Sequence, residues 1–341
     1  MHTEKKIIEL VSPYEMGEEK SYDFHPKKFE DYLGQEELKK KLWVYTQAAA
    51  LRKEPLDHLL LFGPPGVGKT TLAQIMAHTM GVSLKICSGP TLERSGDLVA
   101  ILSSLEPRDV LFIDEIHRMP ITVEEMLYSA MEHFKVDVII GQGAGAQSIH
   151  LPLSPFTLIG ATTKAGMLSA PLRSRFGIIE RIEYYTVQDL QLIVLQSCNY
   201  LGIKIPAESA LTIAGCARGT PRIAKKIVRR IRDFIQVHDL ADVTQEQVVQ
   251  ALTFFGIDKE GLTASDIRFL KEILVRFRGG PVGIETLAAI LGEDKDTLED
   301  IYEPFLMQKG YLEKTSRGRQ IPPSIVPYLL SKILGQKSLV E

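Results

Sequence analysis

The stretch Gly63-Pro-Pro-Gly-Val-Gly-Lys-Thr70 has the form G-x-x-x-x-G-K-[ST] of a loop that binds nucleotide phosphates. It follows Leu59–Phe62, a short apolar run typical of a buried parallel strand, and it opens a helical pattern at Thr70. The positive end of that helix would face the same anion as the loop. The stretch therefore predicts a phosphate-binding loop on a parallel α/β sheet.

Four residues of the loop have roles that their chemistry predicts. Gly66 and Gly68 carry no side chain, so backbone N–H groups can close around phosphate oxygens. Lys69 is expected to reach the β- and γ-phosphates of a nucleoside triphosphate, and the Thr70 hydroxyl is expected to ligate Mg²⁺. We therefore predict a site for a nucleoside triphosphate with Mg²⁺.

A second apolar run, Val110-Leu-Phe-Ile113, ends in two carboxylates. Asp114 lies where a carboxylate can support Mg²⁺, and Glu115 is the expected general base that polarises the attacking water. The alternative is a pair of solvated carboxylates at a strand edge. His117 follows closely, and we assign it no chemical role because a lone histidine there is more often packed or hydrogen-bonded.

Composition indicates a globular protein of more than one domain. The chain has 341 residues, of which 45% are apolar and 24% are charged, and no apolar run approaches the ~18 residues of a membrane span. Cys87, Cys198 and Cys216 are odd in number and far apart, which predicts three buried free thiols and a cytoplasmic location. The N-terminus lacks the apolar core of a signal peptide.

The order of patterns predicts an α/β ATPase core with an inserted β-hairpin, a small helical lid domain and a C-terminal winged helix. The expected limits are a flexible tail at 1–20, the core at 21–185 with its hairpin at 136–153, the lid at 186–256 and the winged helix at 257–341. Three helical patterns followed by a basic hairpin support the last assignment. Winged helices also serve protein contacts, so this pattern alone leaves the ligand open.

The hairpin interrupts the alternation of helices and strands. Ile149, Leu151 and Leu153 alternate onto one face of its second strand. An isolated hairpin is marginally stable, so this apolar face must cover the core or meet a partner. Both interpretations stay open at this point.

Three further runs lie downstream of the loop and the carboxylate pair: Gly160-Ala-Thr-Thr163, Pro171-Leu-Arg-Ser-Arg-Phe176 and Gly219-Thr-Pro-Arg222. With the loop and the carboxylate pair, they resemble the AAA+ ATPases. The resemblance implies that Arg175 is the arginine finger, which enters the neighbouring subunit's site and stabilises charge on the transferring phosphoryl group.

The same resemblance assigns two sensor positions. Thr162 and Thr163 occupy the first-sensor position at a strand end. Arg222 corresponds to the second sensor, which reports the nucleotide from the lid of its own subunit.

Six motifs resemble one family within this class more closely, the RuvB branch-migration motors of Holliday junctions. They are Asp114-Glu-Ile-His-Arg118, Gly160-Ala-Thr-Thr163, Ala170-Pro-Leu-Arg173, Arg218-Gly-Thr-Pro-Arg222, Gly279-Gly-Pro-Val-Gly283 and Glu299-Asp-Ile-Tyr-Glu-Pro-Phe305. The similarity runs from about Asp23 to Arg319, and the last three motifs lie outside the ATPase core.

The resemblance implies a homohexameric ring that encircles duplex DNA beside a junction held by RuvA, with ATP and Mg²⁺ as cofactors and RuvC cutting the junction afterwards. DNA would be held independently of its sequence, in recombination and repair. The implied nucleotide-lining residues are Phe24, His25, Gly66, Lys69, Thr70, Thr71, Glu132, His133, Phe134, Tyr185 and Arg222. Lys314, Arg317 and Arg319 correspond to a DNA-contacting wing, and Ile149 and Leu151 to the arm that docks RuvA.

The chain departs from the family pattern at several positions. His25 and His133 stand where the family usually has Arg and Asp, Ser129 replaces a proline, and the wing reads Lys314-Thr-Ser-Arg317 instead of Arg-Thr-Pro-Arg. Lys for Arg keeps the charge and loses bidentate geometry, which a phosphate contact tolerates. Two alternatives share the ATPase core: a clamp-loader-type ATPase, and a DNA-binding initiator that uses ATP only as an assembly switch.

Overall fold

The computed structural model describes residues 12–13, 24–140, 147–240 and 243–335. The chain divides into two compact units. The first comprises residues 1–203 and 219–226, and the second comprises residues 204–218 and 227–341.

A mixed sheet is the centre of the first unit. Its strands are β1 (Ser12–Pro13), β2 (Leu59–Phe62), β3 (Leu84–Ser88), β4 (Val110–Asp114), β7 (Thr157–Thr162) and β8 (Ile178–Arg181). Their spatial order is β1-β3-β4-β7-β2-β8, in which β1 is antiparallel to β3 and the other neighbours are parallel. The parallel strands therefore end at one common edge, where ligands of open α/β sheets bind.

The predicted parallel sheet is confirmed. Its last strand, β8, ends at Arg181, although the strand-like pattern of the sequence from Ile178 continues to Tyr184. Ile182 N–H still donates to Phe62 O at 2.8 Å, but β2 ends at Phe62 and offers no further partner. The predicted tail at 1–20 lies outside the described residues except for Ser12–Pro13, which pair with β3.

Helices cover both faces of this sheet: α1 (Glu36–Arg52), α2 (Lys69–Met80), α3 (Ser95–Ser103), α4 (Ile121–His133), α5 (Ala170–Ser174) and α6 (Val187–Tyr200). Our sequence interpretation omitted α1 and α5 and placed the other four helices within two residues. Leu60, Leu111 and Phe156 are fully buried in the core beneath these helices.

The inserted hairpin is formed by β5 (Lys135–Ile140) and β6 (Gln147–Pro152), and its predicted glycine-rich tip lies outside the described residues. Its apolar face is graded in exposure. Leu153 is buried in the core, Leu151 packs against it half-buried, and Ile149 is 46% exposed. The inner part of the face therefore covers the core, and the outer part is exposed.

The second unit contains mainly helices. They are α7 (Ala207–Cys216), α9 (Gln245–Phe254), α10 (Ala264–Lys271), α11 (Ile284–Leu291), α12 (Lys295–Thr297), α13 (Glu303–Gln308) and α14 (Val326–Gly335), while α8 (Pro221–Val237) has residues in both units. Single π-turns at Glu272–Arg276 and Leu298–Tyr302 extend α10 and join α12 to α13. The final helix α14 was not predicted.

Arg218 joins the loop after α7 to the helices that follow residue 260. Its Nη2 lies 2.5 Å from the Oδ2 of Asp266, a fully buried carboxylate, and its guanidinium lies 4.4 Å from the centre of the Phe305 ring. An ion pair and a cation–π contact therefore fix one side chain between these elements.

The wing consists of β9 (Glu313–Thr315) and β10 (Gly318–Gln320), which pair antiparallel. Val282 and Arg319 exchange two backbone hydrogen bonds, Val282 N–H to Arg319 O at 2.9 Å and the reverse at 2.8 Å. A Cβ at Gly318 would lie 2.3 Å from Val282 O. A Cβ at Gly280 would lie 2.6 Å from Arg319 O, so both Gly318 and Gly280 allow the Gly279–Gly283 run to pack as a third chain segment beside the wing.

Two expectations from composition can be compared with the structure. All three cysteines are buried free thiols, as predicted, and burial raises the pKa of each. No helix in the described part of the chain is both long and apolar enough to cross a bilayer.

Candidate functional site

The phosphate loop joins β2 to α2 at the carboxyl edge of the sheet. Its conformation needs glycine at three positions, because Gly63, Gly66 and Gly68 have φ of 152°, 78° and 102°. A Cβ at Gly66 would lie 2.8 Å from the Cβ of Arg222, and one at Gly68 would lie 2.9 Å from the Tyr32 hydroxyl. The loop is therefore closely supported on both sides by other parts of the first unit.

Lys69 begins α2 and is only 8% exposed. Its Nζ donates to Gly63 O at 2.9 Å and to Pro64 O at 2.8 Å, so the ammonium lies inside the loop. Burial lowers the pKa of Lys69 to about 8, and the neighbouring Asp114 charge raises it in part. The structure thus brings together the lysine of the loop and the first carboxylate of β4.

Two tyrosine hydroxyls contact the backbone of the loop, and only one of these tyrosines was assigned to the site from the sequence. The hydroxyls of Tyr32 and Tyr185 lie 2.7 Å apart, and each donates to Val67 O at 3.2 Å. Burial raises the pKa of both phenols. Tyr185 was assigned to the nucleotide, whereas its hydroxyl contacts the loop backbone. Tyr32 was missed because no local pattern marks a residue that acts on a loop 35 positions away.

The carboxylate pair lies at the end of β4, beside the loop. Glu115 has a left-handed backbone with φ of 48°, its N–H donates to Asp114 Oδ1 at 2.9 Å, and its Oε2 accepts from Arg118 Nη1 at 2.9 Å. The two carboxylates therefore have different partners: Asp114 accepts from the Glu115 backbone, and Glu115 accepts from Arg118.

The first-sensor threonines lie on the neighbouring strand. Thr162 ends β7, is 1% exposed and lies 3.0 Å from the Nδ1 of His117, while Thr163 is exposed. Burial lowers the pKa of His117. His117 therefore connects the segment after β4 to the end of β7, a contact that its sequence position did not reveal.

Arg222 contacts the loop through its backbone. Arg222 N–H donates to Gly66 O at 3.2 Å, at the start of α8, and its side chain is exposed on the loop side. Phe24 lies nearby: Lys225 Nζ donates to its carbonyl, and its ring meets that of Tyr200 edge-on at 5.8 Å. His25 is exposed beside it. The expected second sensor and the expected N-terminal lining are thus held by α6 and α8.

Arg175 lies at the opposite edge of the sheet from the loop. It ends α5 just before β8, whose first residue, Ile178, pairs with Leu59 at the start of β2. The loop begins only after Phe62, so the length of β2, about 13 Å, separates the two edges. Arg175 cannot serve the loop of its own chain.

Glu132, His133 and Phe134 lie at that same distant edge, although they were expected to line the nucleotide. The Phe134 ring packs against His58, the residue before β2, with centroids 6.4 Å apart, and against Phe156 at 5.9 Å. Glu132 Oε1 lies 3.2 Å from Arg175 Nε, an ion pair without hydrogen-bond alignment. These residues therefore do not line their own chain's site, because they lie at the carboxyl end of α4 and not at that of a strand.

The wing differs from expectation at one of its three basic residues. Arg317 and Lys314 are exposed, but Arg319 is only 7% exposed. The Nε of Arg319 lies 2.5 Å from Glu303 Oε1, and its Nη2 lies 2.6 Å from Glu299 Oε1. Two carboxylates therefore hold the Arg319 guanidinium inside the winged helix, and a contact between Arg319 and DNA stays a prediction.

The fold and this site define a P-loop ATPase of the AAA+ class. Residues 24–182 match the Holliday junction DNA helicase RuvB P-loop domain, residues 185–258 the RuvB AAA lid domain and residues 259–330 the RuvB C-terminal winged helix domain. The chain therefore belongs to the RuvB family, the ATPases that drive branch migration of Holliday junctions.

Solved structures agree with this assignment. The Thermotoga maritima RuvB Holliday junction branch migration motor is 45% identical, with a TM-score of 0.80 over 89% of this chain and 97% of that one. A proline-to-glycine variant of the same Thermotoga protein is also 45% identical, with a TM-score of 0.82 over 90% of this chain and 98% of that one. ATP hydrolysis and action on DNA follow from family membership, whereas the individual residue roles and the domain limits stay predictions.

Proposed function

We propose that the chain works as a homohexameric ring in which each ATP site is shared by two neighbours, and that the ring moves a DNA duplex beside a junction held by RuvA. One observation carries this proposal: Arg175 and the phosphate loop lie at opposite edges of one sheet. A chain that cannot place its own finger on its own nucleotide needs a second copy to complete the site. Repetition of such head-to-tail contacts closes a ring.

Within one site, the two sides divide the work. Lys69 and the backbone of the loop bind the triphosphate, Glu115 takes a proton from the attacking water, and Thr162 and Thr163 orient that water from the next strand. Arg175 of the neighbour then stabilises the charge that develops on the transferring phosphoryl group. Glu132 and His133, which share the edge with Arg175, would approach the neighbour's nucleotide from the same side.

The residues around the loop also fit Mg²⁺. The Thr70 hydroxyl and the Asp114 carboxylate are oxygen donors, which Mg²⁺ prefers, and two protein ligands leave positions for phosphates and water. When bound, Mg²⁺ would neutralise charge on the β- and γ-phosphate oxygens. Thr71, next to Thr70, contributes through the N–H groups of the first turn of α2.

DNA binding is assigned to the tip of the wing. Arg317 is exposed at the tip, and Lys314 Nζ is exposed 3.3 Å from Glu299 Oε1. Contacts from such side chains to phosphates hold DNA without reading its sequence.

Substitutions at the two wing arginines should have different effects. Arg317→Ala is expected to weaken duplex binding and to reduce the slope of log K against log salt by about 0.9, because one phosphate contact is lost. Arg319→Ala should lower the free energy of unfolding by about 3 kcal/mol, because it leaves the buried Glu303 unpaired. Fluorescence anisotropy at several salt concentrations and urea unfolding measure the two effects.

Arg276→Ala is the matched control, since Arg276 is exposed in the same unit and its ion pair within the described residues is with Glu272 on its own helix. It should change neither quantity by much. A DNA affinity that depends on Arg319 at unchanged stability would contradict the proposed division of roles.

The outer end of the hairpin is the proposed contact for RuvA. Ile149 is exposed at that end and Leu151 lies between it and the core, so an apolar partner surface could extend the core outward. RuvC would act on the same junction afterwards, in the cytoplasm.

A branch-migration assay on a synthetic four-way junction tests the proposed function. The chain with RuvA and ATP should convert the junction to duplex products, and the chain alone should do so poorly. A clamp-loader-type protein would load a ring without moving the junction, and an ATP-switched initiator would bind DNA without continuous turnover. Failure to migrate any junction although ATP is hydrolysed would favour the clamp-loader alternative.

A further inference from the structure

The guanidinium of Arg175 is held in a defined position within its own chain. Its carbon Cζ lies 4.6 Å from the centre of the Tyr128 ring, and its Nη1 donates to Pro171 O at 2.8 Å. The side chain of Arg175 is only 22% exposed. An arginine at an open protein edge usually has many rotamers, whereas this one lies against an aromatic face.

Tyr128 is itself fixed by a buried carboxylate. Its hydroxyl donates to Glu124 Oε1 at 2.5 Å and lies 2.9 Å from the Ser169 hydroxyl. Ser169 also donates to Glu124, and its oxygen accepts from Leu172 N–H at the start of α5. Glu124 is 7% exposed although it is a carboxylate, and these two hydroxyls are the hydrogen-bond partners that its side chain has in the described structure.

This arrangement joins two helices around the arginine. Glu124 and Tyr128 are one turn apart on α4, and Ser169 caps the five-residue α5, which Arg175 follows directly. A helix as short as α5 has little stability of its own. Its orientation, and with it the direction of Arg175, therefore depends on the bonds that it makes to α4.

We propose that Tyr128 is a positioning residue for Arg175, held by Glu124 and Ser169, and that it sets the direction in which the guanidinium enters the neighbour's ATP site. This inference rests on the proposed trans role of Arg175. Tyr128 acts through the arginine and does not touch the nucleotide of its own chain, because α4 ends at the edge opposite the loop.

Kinetics separate positioning from general stability. Tyr128→Leu should lower kcat for ATP by roughly ten- to a hundredfold, since a misplacement near 1 Å costs about that much, and should leave KM within about twofold. Tyr128→Phe keeps the ring and should lose much less. Glu124→Gln should reduce kcat severalfold, while Glu125→Gln, its exposed neighbour on the same helix, should not.

Mixed rings give a readout that a merely structural defect would not produce. Tyr128→Leu impairs the finger side of a site, so mixing it with Lys69→Ala, which impairs the loop side, should restore turnover. Mixing Tyr128→Leu with Arg175→Ala should restore nothing, because both variants lack the same side. If Tyr128→Leu fails to assemble, Tyr128→Met, which keeps more of the packing volume, replaces it in both measurements.

The outcomes separate this inference from the function on which it rests. Full activity of Tyr128→Leu beside an inactive Arg175→Ala would overturn the positioning role and leave the finger intact. Full activity of Arg175→Ala would overturn the finger assignment and the positioning role with it. Recovery of turnover in a mixture of Tyr128→Leu and Arg175→Ala would also overturn the positioning role, because the two defects would then lie on different sides of the site.

Discussion

Arg175→Ala should bind ATP like the unmodified chain and hydrolyse it about a thousandfold more slowly. The expected factor follows from the loss of a guanidinium that stabilises transition-state charge on the phosphoryl group, which is worth at least that much in related phosphoryl transfers. Binding should persist because Arg175 lies at the sheet edge away from its own loop. Nucleotide affinity and steady-state turnover, measured separately, test both halves of this expectation.

Mixing experiments locate the arginine's action. Lys69→Ala should abolish nucleotide binding, because Lys69 is the ammonium enclosed by the loop. A mixture of Lys69→Ala and Arg175→Ala should recover part of the turnover, since some interfaces then combine an intact loop with an intact finger. Arg52→Ala, an exposed arginine paired with Glu54, is the control and should remain fully active. An inactive mixture in rings shown to contain both variants would exclude a shared site.

Glu115→Gln should retain ATP and turn it over at least a hundredfold more slowly. The amide keeps the shape of the side chain and cannot accept the proton of the attacking water, and general-base catalysis typically contributes 10²–10⁴-fold. Lys69 and Thr70 are unchanged, so binding should be preserved. Single-turnover hydrolysis with prebound ATP isolates the chemical step.

Glu93→Gln provides the comparison for this variant, because Glu93 is an exposed carboxylate in the segment after β3. It should hydrolyse ATP normally. Robust turnover by Glu115→Gln would instead assign the base to another group at the strand ends.

Local patterns predicted the sheet well and one long helix not at all. The strand β2 begins and ends where its apolar run does, because a buried parallel strand is apolar on both faces. By contrast, α1 has a weak pattern: it buries Thr46 and Ala49 beside two leucines, while Trp43 and Val44 are exposed. Its first residue also follows Gln35, which makes no side-chain cap, so the usual start signal is missing.

The site divides in the same way between local and distant determinants. The loop and the carboxylates are contiguous motifs, and their chemistry could be read from residue types. Arg175 and Glu132 both lie at the sheet edge opposite the loop. This placement depends on which strand ends meet, and only the sheet order reveals it. The sequence alone presents Arg319 as a free charge, because its carboxylate partners lie 16 and 20 residues away along the chain.

A motor protein transmits less work when its moving domains are joined by a flexible linker. Arg218 leaves little slack between the lid helices and the winged helix, because it is bonded to the buried Asp266 and stacked on Phe305. We therefore expect a rotation of the lid helix α7 to carry the wing with it, so that the two move as one rigid lever arm. Deleting the residues after 262 would then remove the wing that binds the duplex. It would also leave the Arg218 guanidinium of the lid exposed and without its Asp266 partner.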